Sequence, residues 1–351
     1  MLSRRAALAT GASLAACASL GVSREAEAKS WIARPPSGFT RMSLPGKVVK
    51  VQKRHVMQGN GVYPKQEAAR MMLERAMTEL TGKANLAEAF KQIIHKDDVV
   101  AIKPNGIAGR RSMKMAANKE LIVEVVKGVM AAGVPAERIT IFEQYKDFLF
   151  ATRAITSKAT LAPAPELPAG IKTAVHLNRD AVMPSINVGG ISTKYVRPFT
   201  DATAVINLTQ LKDHSICGYT GAMKNITHGC NINPQAFHEH NASPQIAHMY
   251  AQGVVKSRVA LHIKDAYQAI YDEGPIDKNP ARRVLQEAVY ASTDPVAIDV
   301  MGWKVVEQLR KDNGLPTLKD AGREPSYLRV ASELGLGVYD DNRIRLQTVT
   351  L

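Results

Sequence analysis

Short apolar strands that alternate with helices constrain the fold of this chain more than any other feature. Residues 98–103 contain a continuous apolar run, and residues 139–142 and 202–208 are further strand-like segments. A continuous apolar run such as 98–103 is typical of a strand buried on both faces of a parallel sheet. Residues 64–80 and 118–132 place apolar side chains at helical spacing. The alternation predicts an α/β fold in which helices cover a mostly parallel sheet.

The rest of the chain adds strands on both sides of this alternation. They are predicted at 47–56, 173–177, 191–196, 259–263, 287–291 and 343–349. A long helix is predicted at 296–311, because Asp294 is able to cap it and Pro295 suits its first turn. The Pro- and Ala-rich segment 153–171 has no period, so we expect residues 47–351 to form two lobes connected there. The site is expected at the carboxyl ends of the strands.

The N-terminus has the three parts of a signal peptide over residues 1–28. Arg4 and Arg5 form a charged region, residues 6–22 are apolar and rich in alanine, and a small-x-small cleavage site ends at Ala28. The paired arginines resemble the twin-arginine export signal. We therefore expect export by the twin-arginine machinery rather than by the general secretory route, although Ala7 stands where the motif usually has a bulky apolar residue. The twin-arginine machinery moves folded proteins that in many cases already carry a cofactor.

Export sets the expected location of the mature chain. Cleavage after residue 28 leaves an aperiodic N-terminal arm at 29–46 and a periplasmic or otherwise extracytoplasmic protein. The sequence Leu14-Ala15-Ala16-Cys17 also resembles a lipoprotein box, which would anchor the chain through a lipid on Cys17. Beyond the leader no stretch approaches the ~20 apolar residues that span a bilayer, so no transmembrane span is expected in the mature form.

Composition narrows the partners and the cofactors. The formal net charge is +14, but export removes most nucleic-acid partners, so a small anionic ligand or an anionic membrane surface is the better expectation. Cys217 and Cys230 are the cysteines that follow the leader, and they do not form a C-x-x-C pair. No Cys-ligated iron–sulfur cluster is expected. The two cysteines are consistent either with one disulfide or with metal ligation.

Residues 207–248 carry most of the chemistry, with five of the nine histidines of the chain. The preceding strand is predicted to end near Thr209, which leaves Lys212 and His214 at its carboxyl end. Thr220 is a predicted N-cap for a short helix at 222–228, whose free amides would attract an anion.

Two further spacings in this stretch bear on ligand binding. Lys224 and His228 are four residues apart and are expected to share one helical face. His238 and His240 form an H-x-H pair, and in an extended segment they would point the same way and ligate one metal ion.

The chain resembles the family called domain of unknown function 362 over roughly residues 48–303. The matching elements are Ile102-Lys103-Pro104-Asn105, Asn207-Leu208, Leu211-Lys212-Asp213-His214, Thr220-Gly221-Ala222-Met223-Lys224-Asn225, Asp265, Glu273-Gly274-Pro275, Ser292, Asp294-Pro295-Val296-Ala297 and Asp299. Some members are fused to ferredoxin modules, whose cysteines are missing here. Together with the strand-end and helix residues described above, the resemblance implies a set of cofactor-binding residues: Lys103, Asn105, Thr220, Gly221, Asn225, Asp265, Glu273 and Asp294.

A second resemblance concerns the segment from His214 to Lys224. Its pattern, His-x3-Gly-Tyr-Thr-Gly-x2-Lys, is similar to a segment of nickel-pincer lactate racemase. The resemblance implies that His214 is an acid/base, that Lys224 anchors a nickel-pincer-type cofactor and that His240 ligates nickel. Ala222 replaces a glycine of that pattern, and the second catalytic histidine has no evident counterpart near residues 140–155.

These observations predict an exported enzyme that uses a metal or metal–organic cofactor on a small anionic substrate, by proton or hydride transfer. The predicted catalytic residues are His214, Lys224 and Lys212, and the predicted metal ligands are His240, His238 and His228. Nickel, zinc and iron all remain open. The alternative is a non-enzymatic periplasmic protein that binds a metal or another ligand.

Overall fold

The computed structural model describes residues 31–112, 115–155, 164–176, 181–239 and 242–351. The predicted signal peptide at 1–28, Cys17 and His240 lie outside the described residues. The part of the N-terminal arm that is described packs on the folded body. There Arg41 donates to both carboxylate oxygens of Asp98, at 2.9 and 2.6 Å.

The strands and helices follow the predicted alternation. The strands are β1 Lys47–Gln52, β2 Val100–Lys103, β3 Ile139–Glu143, β4 Lys172–Val175, β5 Ile186–Val188, β6 Ile191–Thr193, β7 Ala204–His214, β8 Gly218–Tyr219, β9 Val259–Ile270, β10 Arg283–Ser292 and β11 Arg345–Thr350. The α-helices are α1 Gln66–Thr81, α2 Leu86–Lys91, α3 Lys119–Ala131, α4 Lys146–Ala151, α5 Arg197–Thr200, α6 Gly221–Cys230, α7 Pro234–Glu239, α8 Ala242–Ala251, α9 Gly253–Lys256, α10 Pro295–Asp312 and α11 Tyr327–Glu333.

One mostly parallel sheet organises the fold, which confirms the predicted α/β class. Its strand order is β11-β1-β10-β9-β7-β2-β3-β4, with β8 paired to the end of β7. Strand β10 is antiparallel to both of its neighbours, whereas β9, β7, β2, β3 and β4 run in one direction. Their carboxyl ends therefore meet at one edge of the sheet.

The continuous apolar runs are explained by burial on both faces of the sheet. Along β7, Val205 packs in the core on one face of the sheet and Ile206 in the core on the other. In β2, Ala101 packs in the same core as Val205, and Ile102 in the same core as Ile206. Helices α1, α2 and α3 contribute to the core that contains Ile206, and α6, α8, α10 and α11 to the opposite core. Full burial of one large aliphatic side chain contributes about 1.5–3 kcal/mol.

Strands on both sides of residues 153–171 belong to the same sheet. Thr140 of β3 is paired with Lys172 of β4, so the segment connects adjacent strands. Among the described residues, no helix is long and apolar enough to cross a membrane.

Strand β7 differs from its prediction in a way that matters for the site. It was expected to end near Thr209, but it ends at His214. The strand is longer because β9 pairs with it beyond the end of β2, with Leu211 opposite Ala269 and Lys212 opposite Ile270. The polar segment after the apolar run is thus buried strand rather than exposed loop.

Candidate active site

A cavity of about 250 Å³ lies at the carboxyl ends of the strands. Strands β2, β3 and β7 lead into it, and helices α6 and α7 close one side. Eight of the residues that the sequence nominated line this one cavity: Lys103, Asn105, His214, Thr220, Lys224, Asn225, His228 and His238. The predicted common face of Lys224 and His228 on helix α6 is therefore turned towards the cavity.

Three imidazole rings meet on one wall of the cavity. The rings of His214 and His238 are stacked, with centroids 5.6 Å apart and planes at 10°. The ring of His228 lies edge-on to His238 at 4.6 Å. Beside them Lys224 Nζ is 2.8 Å from His238 Nε2. A lysine amine and three imidazoles thus form one contiguous cluster.

Hydrogen bonds to the backbone fix which nitrogen of each stacked ring carries the proton. His238 Nδ1 is 3.0 Å from Pro234 O, which can only accept, so in the neutral ring Nδ1 donates and Nε2 accepts from Lys224. His214 Nδ1 accepts from the amide of Ile216 at 3.1 Å, so its Nε2 carries the proton. The two rings therefore offer opposite functions, an acceptor and a donor.

Both stacked rings are held in the neutral form. Burial and the charge of Lys224 lower the pKa of His238 from 6.5 to about 3. Burial, followed by the charges of Lys224 and nearby basic groups, lowers the pKa of His214 well below 6.5. At neutral pH neither ring holds a second proton.

Three lysines surround the cavity, and they are anchored differently. Lys103 Nζ is 2.9 Å from Glu143 Oε2, and both side chains are 2% exposed. Lys212, which is fully buried behind the cavity wall, donates to Asn105 Oδ1 at 2.6 Å. Lys224 has the imidazole of His238 as its partner. One carboxylate, Glu143, thus accompanies three amines among the residues described at this site.

Burial weakens the basicity of two of these lysines. It lowers the pKa of Lys224 from 10.5 to about 8. Burial also lowers the pKa of Lys212 well below 10.5; the charges of Lys224 and Lys103 add to this effect, and Glu143 opposes it. Desolvation penalises each ammonium ion because the low-dielectric interior replaces water. Binding of an anion would compensate this penalty.

A chain of amides holds the lysines in place. Asn225 Oδ1 accepts from Asn105 Nδ2 at 2.9 Å and from Lys103 Nζ at 3.4 Å. Asn225 Nδ2 donates to Asn207 Oδ1 at 2.8 Å, and Asn207 Nδ2 lies 3.1 Å from His262 Nδ1. These groups are buried and mutually satisfied, so the amide chain fixes the geometry of the cavity floor.

The amino end of helix α6 is arranged differently from its prediction. Ala222 N and Met223 N donate to the carboxylate of Asp299, at 2.6 and 3.0 Å. Thr220 makes no side-chain cap and instead donates to a strand carbonyl. Gly221 takes a φ of +56° directly against Asp299. These two amides are therefore not free to bind an anion, because a protein carboxylate already occupies them.

Three nominated carboxylates lie outside the cavity and have other partners. Asp265 accepts from the backbone and side chain of Asn118, at 2.7 and 2.9 Å. Glu273 pairs with Arg282 at 3.0 Å and is partly exposed. Asp294 caps α10 by accepting from the amides of Val296 and Ala297. Each of these groups has a structural role where the chain places it, and Gly221 likewise lies behind the cavity.

The described residues contain no group of three His, Cys, Asp or Glu side chains that is able to hold a metal ion. The H-x-H argument required an extended segment, but His238 lies in helix α7, so its side chain follows helical rather than alternating geometry. His240 lies outside the described residues. His228 Nε2 is buried and has no hydrogen-bond partner.

The two cysteines are free thiols rather than a disulfide. Both are fully buried, and burial raises the pKa of Cys217 to about 11 and that of Cys230 to about 12. Neutral thiols of this kind pack as small apolar groups.

Sequence reasoning missed two residues that organise the site. Glu143 ends strand β3, and its two oxygens accept from Gly106 N at 2.7 Å and from Lys103. Arg323, far along the chain, pairs with Asp213 and donates to His214 O at 3.0 Å. The position of Glu143 at a strand end was a usable signal, whereas nothing local marked Arg323.

Fold and site together define an α/β protein with a lysine- and histidine-lined cavity at the carboxyl edge of a mostly parallel sheet. The family described as Domain of unknown function (DUF362) matches residues 100–304, and the chain belongs to that family. No curated protein matches the chain. The matched region supplies the lining lysines and histidines, whereas Arg323 lies beyond it.

Proposed function

We propose that this chain is an enzyme that binds a small organic anion in the cavity and transfers a proton on it. One observation carries the proposal: the amine of Lys224 contacts the accepting Nε2 of His238 inside a cavity rich in cations. An acceptor imidazole, a donor imidazole and an anchoring amine are the groups that general acid–base catalysis needs.

The charge balance supports an anionic substrate. Lys103, Lys212 and Lys224 surround the cavity, and Glu143 neutralises one of them. Ile107, Phe148 and Pro275 also line the cavity and add apolar surface to it. A volume of about 250 Å³ suits a compact carboxylate with a short apolar part.

The tautomers support distinct roles for the two stacked rings. His238 Nε2 is the base, because it holds the lone pair of the neutral ring, contacts the Lys224 amine and belongs to a residue that lines the cavity. His214 offers an Nε2–H, which suits it to polarise a carbonyl oxygen rather than to accept a proton. This assignment refines the predicted acid/base role of His214. Lys224 anchors the anion, and the bound anion would favour the charged form of Lys212 behind the wall.

A metal-dependent reaction is the second candidate, and His228 favours it. Its buried Nε2 has no partner, and imidazole nitrogen is a common ligand for nickel, zinc and iron. The described residues do not complete a ligand set around this nitrogen. Export and a periplasmic location stay part of the proposal on the strength of the leader sequence alone.

Proton exchange tests the proposal directly. Pyruvate or lactate is incubated with the purified protein in D2O, and proton NMR follows the loss of the methyl signal of pyruvate or of the C2–H signal of lactate. We expect exchange above background, and a reduction of about 10²- to 10⁴-fold in His238→Gln, the usual effect of losing a general base. Lys96→Arg, at an exposed surface position, serves as the control.

Calorimetric titration of the same acids supplies the binding measurement. Lys224→Met is expected to weaken binding, whereas Lys96→Arg leaves it unchanged. Absence of both binding and exchange for the wild-type protein would refute the proposal. If exchange disappears on chelation and returns with nickel, zinc or iron, the metal-dependent candidate replaces the metal-free one.

A further inference from the structure

Lys224 differs from the other lysines of the cavity in how its amine is bound. Lys103 Nζ is held by Glu143 and by Pro104 O, the latter at 2.8 Å. Lys212 Nζ is held by Asn105 and Gln210. Lys224 Nζ contacts a neutral imidazole instead. Its amine is therefore paired with a base, and it has no carboxylate partner among the described residues.

We propose that Lys224 is a nucleophile that forms an imine with the carbonyl carbon of a small carbonyl-bearing carboxylate bound in this cavity. The inference rests on the proposed function, because it requires the same anion site. It goes further by naming the substrate class, the 2-oxo acids and their close analogues, and by giving Lys224 a covalent role.

The step balances without an added oxidant or reductant. The neutral Lys224 amine attacks the carbonyl carbon, a C–N bond forms, and the carbonyl π electrons move to oxygen. His238 Nε2 accepts one amine proton and returns it to the departing oxygen. The second amine proton also leaves with that oxygen as water, and a C=N bond remains. An amine and a carbonyl thus become an imine and one molecule of water.

The neighbouring groups are placed for this chemistry. The amine already donates to His238 Nε2 at 2.8 Å, so the base is in contact with the proton that it must take. The proton on His214 Nε2 is available to polarise the carbonyl. A carboxylate bound in the cavity would favour the charged form of the buried Lys212 amine.

The acidity of the Lys224 ammonium supports the same role. Burial lowers its pKa from 10.5 to about 8. The lowered pKa enlarges the fraction of neutral amine near neutral pH. Desolvation is an established way to activate a lysine nucleophile.

Reductive trapping tests the inference. The full protein is incubated at pH 7.5 with pyruvate or glyoxylate and cyanoborohydride, which reduces an imine to a stable secondary amine. Digestion and mass spectrometry then locate the adduct. We expect labelling in the peptide that contains Lys224, on the order of 100-fold faster than at exposed Lys96, in keeping with the larger fraction of neutral amine.

Two variants and the wild-type map make the outcome decisive. Lys224→Arg is expected to lose the adduct, and Lys96→Arg is expected to keep it. If Lys224→Arg does not fold, the position of the adduct in the wild-type protein still decides. Labelling of Lys224 no faster than Lys96, or no labelling with either acid, would overturn the inference. Proton exchange that persists without any adduct would overturn the imine alone and leave the proposed function standing.

Discussion

The substitution Gly221→Ala tests how the amino end of helix α6 is built. Gly221 has a φ of +56°, and an added Cβ would fall within the contact distance of the Asp299 carboxylate. That carboxylate is fully buried, accepts from Ala222 N and Met223 N, and lies 3.3 Å from Lys264 Nζ. An alanine therefore strains the backbone and also displaces a cap and a buried ion pair.

A matched glycine separates the two costs. Gly82 ends helix α1 with a φ of +70°, and an added Cβ there meets no atom within 4 Å. Gly82→Ala should cost about 1–2 kcal/mol, the backbone term for a left-handed residue. Gly221→Ala adds an overpacking term of about 1–3 kcal/mol, which gives a total of about 2–5 kcal/mol.

Urea unfolding of the wild-type protein and the two variants measures the difference. We expect unchanged slopes and a larger fall in midpoint for Gly221→Ala than for Gly82→Ala. The same variant should slow trapping at Lys224, because that lysine lies one turn into the displaced helix. Equal midpoints for the two glycine variants would refute the close packing of Asp299 on Gly221.

Two further predictions concern other parts of the fold. Burial raises the pKa of Asp98, but hydrogen bonds from Arg41 and nearby groups outweigh this effect and hold the pKa below 3.8. The ionised Asp98 therefore stabilises the fold above pH 3.8, and this stabilisation is lost as the pH falls through the lowered pKa. Arg41→Ala should lower the free energy of unfolding by about 3 kcal/mol at pH 7. Urea unfolding should show that the difference in stability between the variant and the wild type becomes smaller in acid; a difference that grows in acid contradicts the pairing of Arg41 with Asp98. Because Cys217 and Cys230 are free thiols, both should be alkylated when the protein is unfolded without reductant. A disulfide-linked peptide that contains both cysteines would disprove the assignment as free thiols.

The sequence by itself determined the α/β class and most of the elements. Apolar runs and helical spacing report burial, which repeats along the chain with the period of each element. Helix α10 begins at Pro295 with Asp294 as its cap, as the local signals indicated. The common face of Lys224 and His228 also followed from spacing alone.

Only the tertiary structure decided how far β7 extends and what its polar end contacts. Residues 209–214 look like a loop in sequence, but β8 pairs with Asp213 and His214, and pairing with β9 keeps residues 209–212 in the sheet. No local pattern announces that pairing, because its partner residues lie more than fifty positions away. Burial of Lys212 is tolerated because Asn105, on another strand end, accepts from it.

The members of the lysine–histidine cluster in the cavity were likewise identified one by one from the sequence, and only the fold brings them together. A metal pair was inferred from His238 and His240, whereas the structure places His238 against Lys224 and His214. Glu143 joins Lys103 because strands β2 and β3 are neighbours. Local sequence records which faces are buried, but the contacts between faces depend on packing among distant elements, and those contacts set the tautomers and charges of this site.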